Sequence, residues 1–198
     1  MSTALLLSGG MDSIAIAFWK RPDYAITVNY GQLSAGGEIE AAVAVTKALE
    51  IPHEVISVDC SSLGSGDLAG RPAISSAPSR EWWPFRNQLI ITFAAIRGIS
   101  LGIDHLLFGS VKTDDFHKDG TQRFFENIDH LVSFQEGGIA VTAPAISLTT
   151  PDLIKLSGVP RSLLAWAHSC HVSDFACGQC RGCYKYQAVL LEMGYETD

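Results

Sequence analysis

The junction near the start of the chain constrains the fold most. A short apolar run, Ala4 to Ser8, reads as a strand and breaks at Gly9-Gly10. A helical pattern then begins at once, with Asp12 near its start, and runs to Lys20. The same rhythm continues. Tyr24 to Asn29 carries Ile26 and Val28 and predicts a second strand. Glu38 to Leu49 places Ala41, Val45, Ala48 and Leu49 on one helical face. Pro52 closes that helix, and Val55, Ile56 and Val58 mark a third strand over His53 to Asp59. Strands and helices alternating in this order predict an α/β fold with a parallel sheet and right-handed crossovers.

The later segments extend that plan. Ser61 to Pro84 is rich in Gly, Ser, Pro and Ala and reads as a long loop, which in a compact domain is usually functional or mobile. Asn87 to Leu101 is apolar nearly all round, which predicts a buried helix packed on the sheet. His105 to Gly109 predicts a fourth strand, and Phe124 to Phe134 an amphipathic helix. From Pro151 onward come a short helix, a cysteine cluster and a final helix from Tyr184 to Met193. We therefore expect one domain over 1–198, with 151–198 as a C-terminal metal-binding extension.

Composition sets the function classes. The 198 residues are 47% hydrophobic and 18% charged, enough to bury a core, and the net charge is −7. A broad electrostatic nucleic-acid binder is normally basic, so that class loses ground. No segment approaches the roughly 20 apolar residues of a spanning helix, and the N-terminus lacks a basic flank and a long enough apolar run for a signal peptide. The expected compartment is a reducing cytoplasm, where clustered thiols point to metal rather than disulfides.

Ser8-Gly9-Gly10-Met11-Asp12-Ser13 lies at the carboxyl end of the first predicted strand, where open parallel sheets bind ligands. Glycines there let the backbone turn tightly and bring N–H groups onto an anion, and the helix start adds partial positive charge. Ser8 and Ser13 offer hydroxyls. The loop suits a phosphate or pyrophosphate, yet it lacks the lysine of the G-x-x-x-x-G-K-[ST] loop.

The second motif is Cys170-x6-Cys177-x2-Cys180-x2-Cys183. Four thiolates can close a tetrahedral Zn²⁺ site, and Gly178 and Gly182 permit the tight turns needed. A ferredoxin-like iron–sulfur pattern would carry a Cys-Pro that is absent here. A four-thiolate zinc site has no open position, so its expected role is folding. His168 and His171 are further candidate nitrogen ligands, but with four cysteines available they are expected to serve packing or solvent contact, and Cys60 to be a bystander.

The glycine string resembles the pyrophosphate loop of ATP pyrophosphatases, which cleave ATP to AMP and pyrophosphate. Together with the cysteine spacing it resembles the 7-cyano-7-deazaguanine synthase family. Asn29-Tyr30-Gly31-Gln32 matches that family's N-Y-G-Q, Pro84-Phe85-Arg86-Asn87 its P-G-R-N, and Asp119 sits where it has Y-P-D-C. Ser169-Cys170 and Cys177-Gly178-x-Cys180 close the match, which spans essentially the whole chain. Departures fall on the substrate side. Gln32-Leu33-Ser34 lacks the family's His, His117-Lys118-Asp119-Gly120 replaces Y-P-D-C, Ala167 replaces a Thr, and Lys185-Tyr186 replaces the Arg after the last cysteine.

The resemblance implies ATP-dependent conversion of a 7-deazaguanine carboxylate to the nitrile with ammonia. It implies that Ser8, Gly9, Gly10, Met11, Asp12 and Ser13 hold pyrophosphate, with Asp12 orienting Mg²⁺. Adenine is expected near Val28, Tyr30 and Gln32, with Gly109 ending the fourth strand. Arg86 suits a phosphate or carboxylate through its planar fork, and equally a simple ion pair at a helix start. Asp119 is a candidate for the guanine-like N–H edge or an ordinary turn residue; Lys112, Asp114 and Asp115 are weaker candidates. Trp82 and Trp83 could stack on a base or anchor the core. His117 is a candidate base or a solvated loop residue. The family suggests a homodimer. Relatives in phage-defence gene clusters add a second reading, transfer of the acyl group to a protein amine. A tRNA-modifying enzyme and a non-catalytic zinc module are the remaining alternatives.

Overall fold

The computed structural model describes residues 1–195. The chain opens with β1 (Thr3–Leu6), α1 (Met11–Lys20), β2 (Tyr24–Asn29), α2 (Ala35–Leu49) and β3 (His53–Ser57). After a long connection come α3 (Arg86–Leu101), β4 (His105–Leu107), α4 (Gln122–Ser133), β5 (Ala140–Thr142), α5 (Thr150–Ser157), α6 (Arg161–Leu164) and α7 (Arg181–Glu192). The strands form a parallel sheet in the order β3-β2-β1-β4-β5, as the alternating sequence pattern predicts.

Side chains of β1 alternate between two cores, as a strand buried on both faces must. Leu5 and Leu7 join Ile14 and Ile16 of α1, Val45 of α2, Leu153 of α5 and Leu164 of α6. Ala4 and Leu6 join Ile26, Ile91 and Ala94 of α3, Leu106, and Phe125 and Ile128 of α4. The result is three layers. The strand order reverses between β1 and β4, so the loops after these two strands flank a crevice at the carboxyl edge. Such a reversal is where open parallel sheets receive ligands. No helix among the described residues is long and apolar enough to cross a membrane.

Two expectations need correction. Helix α3 packs on the sheet, but only its Asn87-Ile91-Ala94-Gly98 stripe is buried; Ile96 is 64% and Ile99 55% exposed. As an outer-layer helix it meets the sheet and α4 on one side, so an apolar composition does not bury it all round. The final helix starts at Arg181 rather than Tyr184, because the Cys180 sulfur accepts from the Cys183 N–H and caps it.

The long connection is packed at its two ends, where Ser65, Gly66, Leu68 and Trp83 are buried, and exposed over 71–76. It makes two single 3-10 turns, at Ser61–Leu63 and Asp67–Ala69. Trp83 is buried, edge-on to Tyr30 with ring centroids 4.9 Å apart, so it anchors the core.

Candidate active site

The glycine loop bridges β1 and α1. Gly9 has φ +74°, and a Cβ there would lie 2.5 Å from the Glu38 carbonyl oxygen of α2, so side-chain-bearing residues are excluded twice over. Its own carbonyl accepts the His168 N–H at 2.9 Å, tying the loop to the segment before the cysteine cluster. The Ser13 hydroxyl, buried in α1, donates to the Gly10 carbonyl at 3.0 Å and lies 3.2 Å from the Ser8 hydroxyl. Ser13 and Gly9 thus shape the loop, while Ser8, Gly10, Met11 and Asp12 line a cleft of about 300 Å³.

At this end the cleft is strongly charged. Asp12 is partly buried in the first turn of α1, and desolvation pushes its pKa up against the opposing pull of Lys185. The Lys185 ammonium, from α7, is 3.1 Å from Asp12 Oδ2 and 3.5 Å from Asp114 Oδ1. Asp12 Oδ1 and the Thr150 hydroxyl are buried and unpartnered. Thr150 stands close enough to Asp12 to draw its pKa down, and the carboxylate, beside that of Asp114, suits a hard divalent cation.

The floor is the end of β2. Val28 and Tyr30 line the cleft. Gln32 turns inward instead. Its side-chain carbonyl accepts the Tyr30 N–H at 2.9 Å and its amide donates to Glu38 Oε2 at 2.9 Å. Glu38 itself lines the cleft, with its other oxygen accepting from Ser34 at 2.6 Å, and burial pushes its pKa up. Gly109, after β4, closes the wall against Ser13: a Cβ would lie 3.2 Å from the serine Cβ.

Arg86 opens the far end. It stands at the start of α3, with Nε donating to Asn87 Oδ1 at 3.3 Å and with Tyr30, Asp119 and Glu38 raising its pKa against burial. Asn87 holds the 117–120 turn through its amide donating to the Asp119 carbonyl at 2.9 Å. The preceding residue, Phe85, has φ +56° and is 74% exposed. This left-handed position, where the related P-G-R-N pattern has glycine, disfavours a side chain. His117 and His171 also line this end, each with a buried Nδ1 lacking a partner. His171 therefore faces the cleft, as does His168. Trp82 and Trp83, Lys112 and Asp115 lie outside the lining, whereas Asp114 and Asp119 belong to it.

The four cysteines converge beside that end. Their sulfurs all lie within 4.8 Å of one another, with Cys177–Cys183 at 3.9 Å and Cys170–Cys180 at 4.0 Å. Four thiolates at 2.3 Å around one tetrahedral ion stand about 3.8 Å apart. The spacing fits one ion and suggests zinc; a [4Fe–4S] cluster, which puts each thiolate on a different iron, needs them farther apart. N–H groups of Gln179 and Cys180 hold the Cys177 thiol low, while burial pushes the neighbouring Cys183 thiol up. Cys60 is buried apart from the cluster.

The buried unpartnered side-chain atoms among the described residues, on Asp12, His117, Thr150 and His171, all belong to this one cleft. Sequence reasoning missed Thr150, Glu38 and the active placement of Lys185 and His171. A lone threonine or glutamate carries no local signal, and only α5, α2 and α7 packing on α1 brings these groups together.

The model of a family described as "Queuosine biosynthesis protein QueC" matches residues 2–194. A 7-cyano-7-deazaguanine synthase of Desulforudis audaxviator is 32% identical, with 98% of each chain covered. One of Acidobacterium capsulatum is 31% identical over 89% of this chain and 86% of that one. Among solved structures, the U34-tRNA thiolase NcsA from Methanococcus maripaludis superposes with a TM-score of 0.54 at 16% identity. That match covers 98% of this chain and 65% of the thiolase, and it supports the fold alone. With the family's motifs converging on one cleft and the match running from end to end, this chain belongs to the QueC family.

Proposed function

We propose that this protein is a 7-cyano-7-deazaguanine synthase: it adenylates the carboxylate of 7-carboxy-7-deazaguanine with ATP and releases pyrophosphate, ammonia displaces AMP to give the amide, and a second ATP activates the amide oxygen so that it leaves with AMP and the nitrile forms. The observation that carries the reading is the single cleft with two unlike polar ends, each holding unpartnered buried groups. A carboxylate resists nucleophiles until a good leaving group is attached, and adenylation supplies one. The glycine loop offers backbone N–H groups and the Ser8 hydroxyl to pyrophosphate as it departs. Val28 and Tyr30 form the adenine wall. Arg86 neutralises the substrate carboxylate or the phosphate it attacks, and brings the two together. Asp119 is placed to accept from the guanine-like N–H edge. Asp12, with Asp114 beside it, would hold Mg²⁺, which neutralises phosphate charge when bound. The zinc site has no open position and acts in folding. We read 1–198 as one domain with a zinc-binding extension over 151–198, working in the cytoplasm. A homodimer would cover apolar side chains such as Ile96 and Ile99 of α3, and light scattering tests it.

The test is incubation of purified protein with the 7-carboxylate, Mg·ATP and ammonium, followed by mass spectrometry. The expected product is the nitrile, with AMP formed; metal analysis should find about one zinc per chain. Absence of both AMP and nitrile would overturn the reading. A second reading is favoured by Phe85, an exposed aromatic next to Arg86 where glycine is the family's choice. On that reading the acyl group goes to an amine on a partner protein. AMP released without nitrile, together with a mass increment on an added protein, would establish it.

A further inference from the structure

The glycine loop lacks the lysine that other phosphate loops use to reach the outer phosphates. The structure shows another lysine at that end of the cleft. Among the described residues lining the cleft, the Lys and Arg side chains are Arg86 and Lys185. Arg86 stands among Tyr30, Asp119, Glu38 and Asp114. Lys185 pairs with Asp12 of the glycine loop, 173 residues from it in sequence and 3.1 Å from it in space. Asp12, Glu38, Asp114 and Asp119 line the same cleft, so carboxylates outnumber cations there. A polyphosphate entering beside Asp12 and Asp114 would be repelled without a cation at that point.

We infer that Lys185 is the phosphate-binding cation of this site, exchanging its ion pairs with Asp12 and Asp114 for the pyrophosphate portion of ATP. This rests on the reading of the cleft as an ATP site and deepens it. The exchange is easy in physical terms. The side chain is 41% exposed, both ion pairs are partly solvated, and the lysine stem is flexible. Leaving Asp12 also frees that carboxylate for a divalent cation. The cysteine knuckle sets the position of the lysine, because Cys180 caps α7 and Cys183 lies in its first turn. In this chain the four-thiolate site would therefore hold the ATP-side cation in place without touching the substrate.

The experiment measures binding of inorganic pyrophosphate by calorimetry, without added magnesium, to the zinc-loaded full chain and to K185M and K185R. Loss of one charge-assisted contact predicts binding about tenfold to a hundredfold weaker in K185M, with K185R close to wild type. Zinc content equal to wild type shows that the knuckle is intact. A merely structural lysine that screens Asp12 makes a different prediction: D12N would restore pyrophosphate binding to K185M. If the lysine contacts phosphate, it does not. Should K185M fail to fold, wild-type protein answers the question: pyrophosphate should slow acetylation of Lys185 severalfold and leave the exposed Lys47 unaffected. Wild-type binding with K185M equally tight, rescue by D12N, or no protection of Lys185 would overturn the lysine's role. Wild-type protein that binds neither pyrophosphate nor ATP would overturn the ATP-site reading itself.

Discussion

The two ends of the cleft are built differently. The glycine-loop end is built on a backbone turn: Gly9 and Gly10 join strand to helix, Ser13 closes the loop on the Gly10 carbonyl, and the side chains of Asp12, Asp114, Thr150 and Lys185 gather around it. The Arg86 end is made of side chains from separate segments: Arg86 and Asn87 on α3, His117 and Asp119 in the turn before α4, and His171 in the cysteine knuckle. Backbone geometry tolerates little change, because one Cβ at Gly9 meets another element's main chain. Side chains drift one at a time while the cleft survives. The departures from the family pattern follow this division. Phe85 and the 117–120 turn fall at the side-chain end and Lys185-Tyr186 on α7, Leu33-Ser34 and Ala167 lie outside the lining, and the glycine loop is kept whole.

Breaking the backbone end should have the largest effect. Gly9→Ala combines a disfavoured φ with a clash against the Glu38 carbonyl, and should cost about 3 kcal/mol or more. A thermal melt should show the midpoint falling by roughly 6–12 °C, and AMP formation should vanish. If Gly9→Ala melts and reacts like wild type, the contrast between the ends is wrong.

Breaking the side-chain end should spare the fold. Arg86→Met should lower the rate of AMP formation about 100- to 1,000-fold, as loss of a positioned charge-stabilising group does elsewhere. Pyrophosphate binding at the other end should stay within severalfold of wild type in calorimetry. Equal losses in both measurements would show the ends acting as one unit.

Phe85 sharpens the comparison in the opposite direction. Replacing it by glycine relieves a left-handed side-chain-bearing residue, so Phe85→Gly should stabilise by about 1 kcal/mol and raise the melting midpoint by roughly 2–4 °C. A destabilised variant would mean that the exposed ring makes contacts that outweigh the backbone strain.

The smallest effect lies away from both ends. His53 of β3 donates from Nε2 to the Thr27 hydroxyl at 2.8 Å, since that hydroxyl's own proton goes to the Leu7 carbonyl at 2.7 Å. Burial holds the imidazole below its ordinary 6.5. The folded state therefore prefers the neutral ring. Its contribution is present above the unfolded value and is lost as pH falls through 6.5 and then the lower folded value. The difference in melting temperature between wild type and His53→Gln should shrink from pH 7.5 to pH 5, with little change in AMP formation at pH 7.5. A constant difference would place the histidine's contribution in packing alone.

Much of this arrangement could be read from local pattern. The bounds of β2, Tyr24 to Asn29, are those the apolar run predicts. The glycine loop and the four cysteines are motifs because their chemistry depends on spacing within a few residues. The exposure of α3 was not legible, since composition does not tell a helix how many neighbours it will have. Asp114 stood among weaker candidates, yet its carboxylate faces Lys185 across the cleft. Glu38 and Thr150 had no signal of their own, and Gln32, part of a matched motif, turned out to brace the strand end rather than face the cleft.

The sequence by itself determined the parallel α/β plan, the anion-binding loop and the thiolate set. Each rests on backbone conformation or short-range spacing, which neighbouring residues specify. Only the tertiary structure decided which distant side chains complete the cleft: Lys185 beside Asp12, Thr150 beneath the loop, and His171 opposite Arg86. Those pairings depend on strand order and on how helices from the two ends of the chain stack against α1. Long-range packing of that kind leaves no mark in the spacing of residues along the chain.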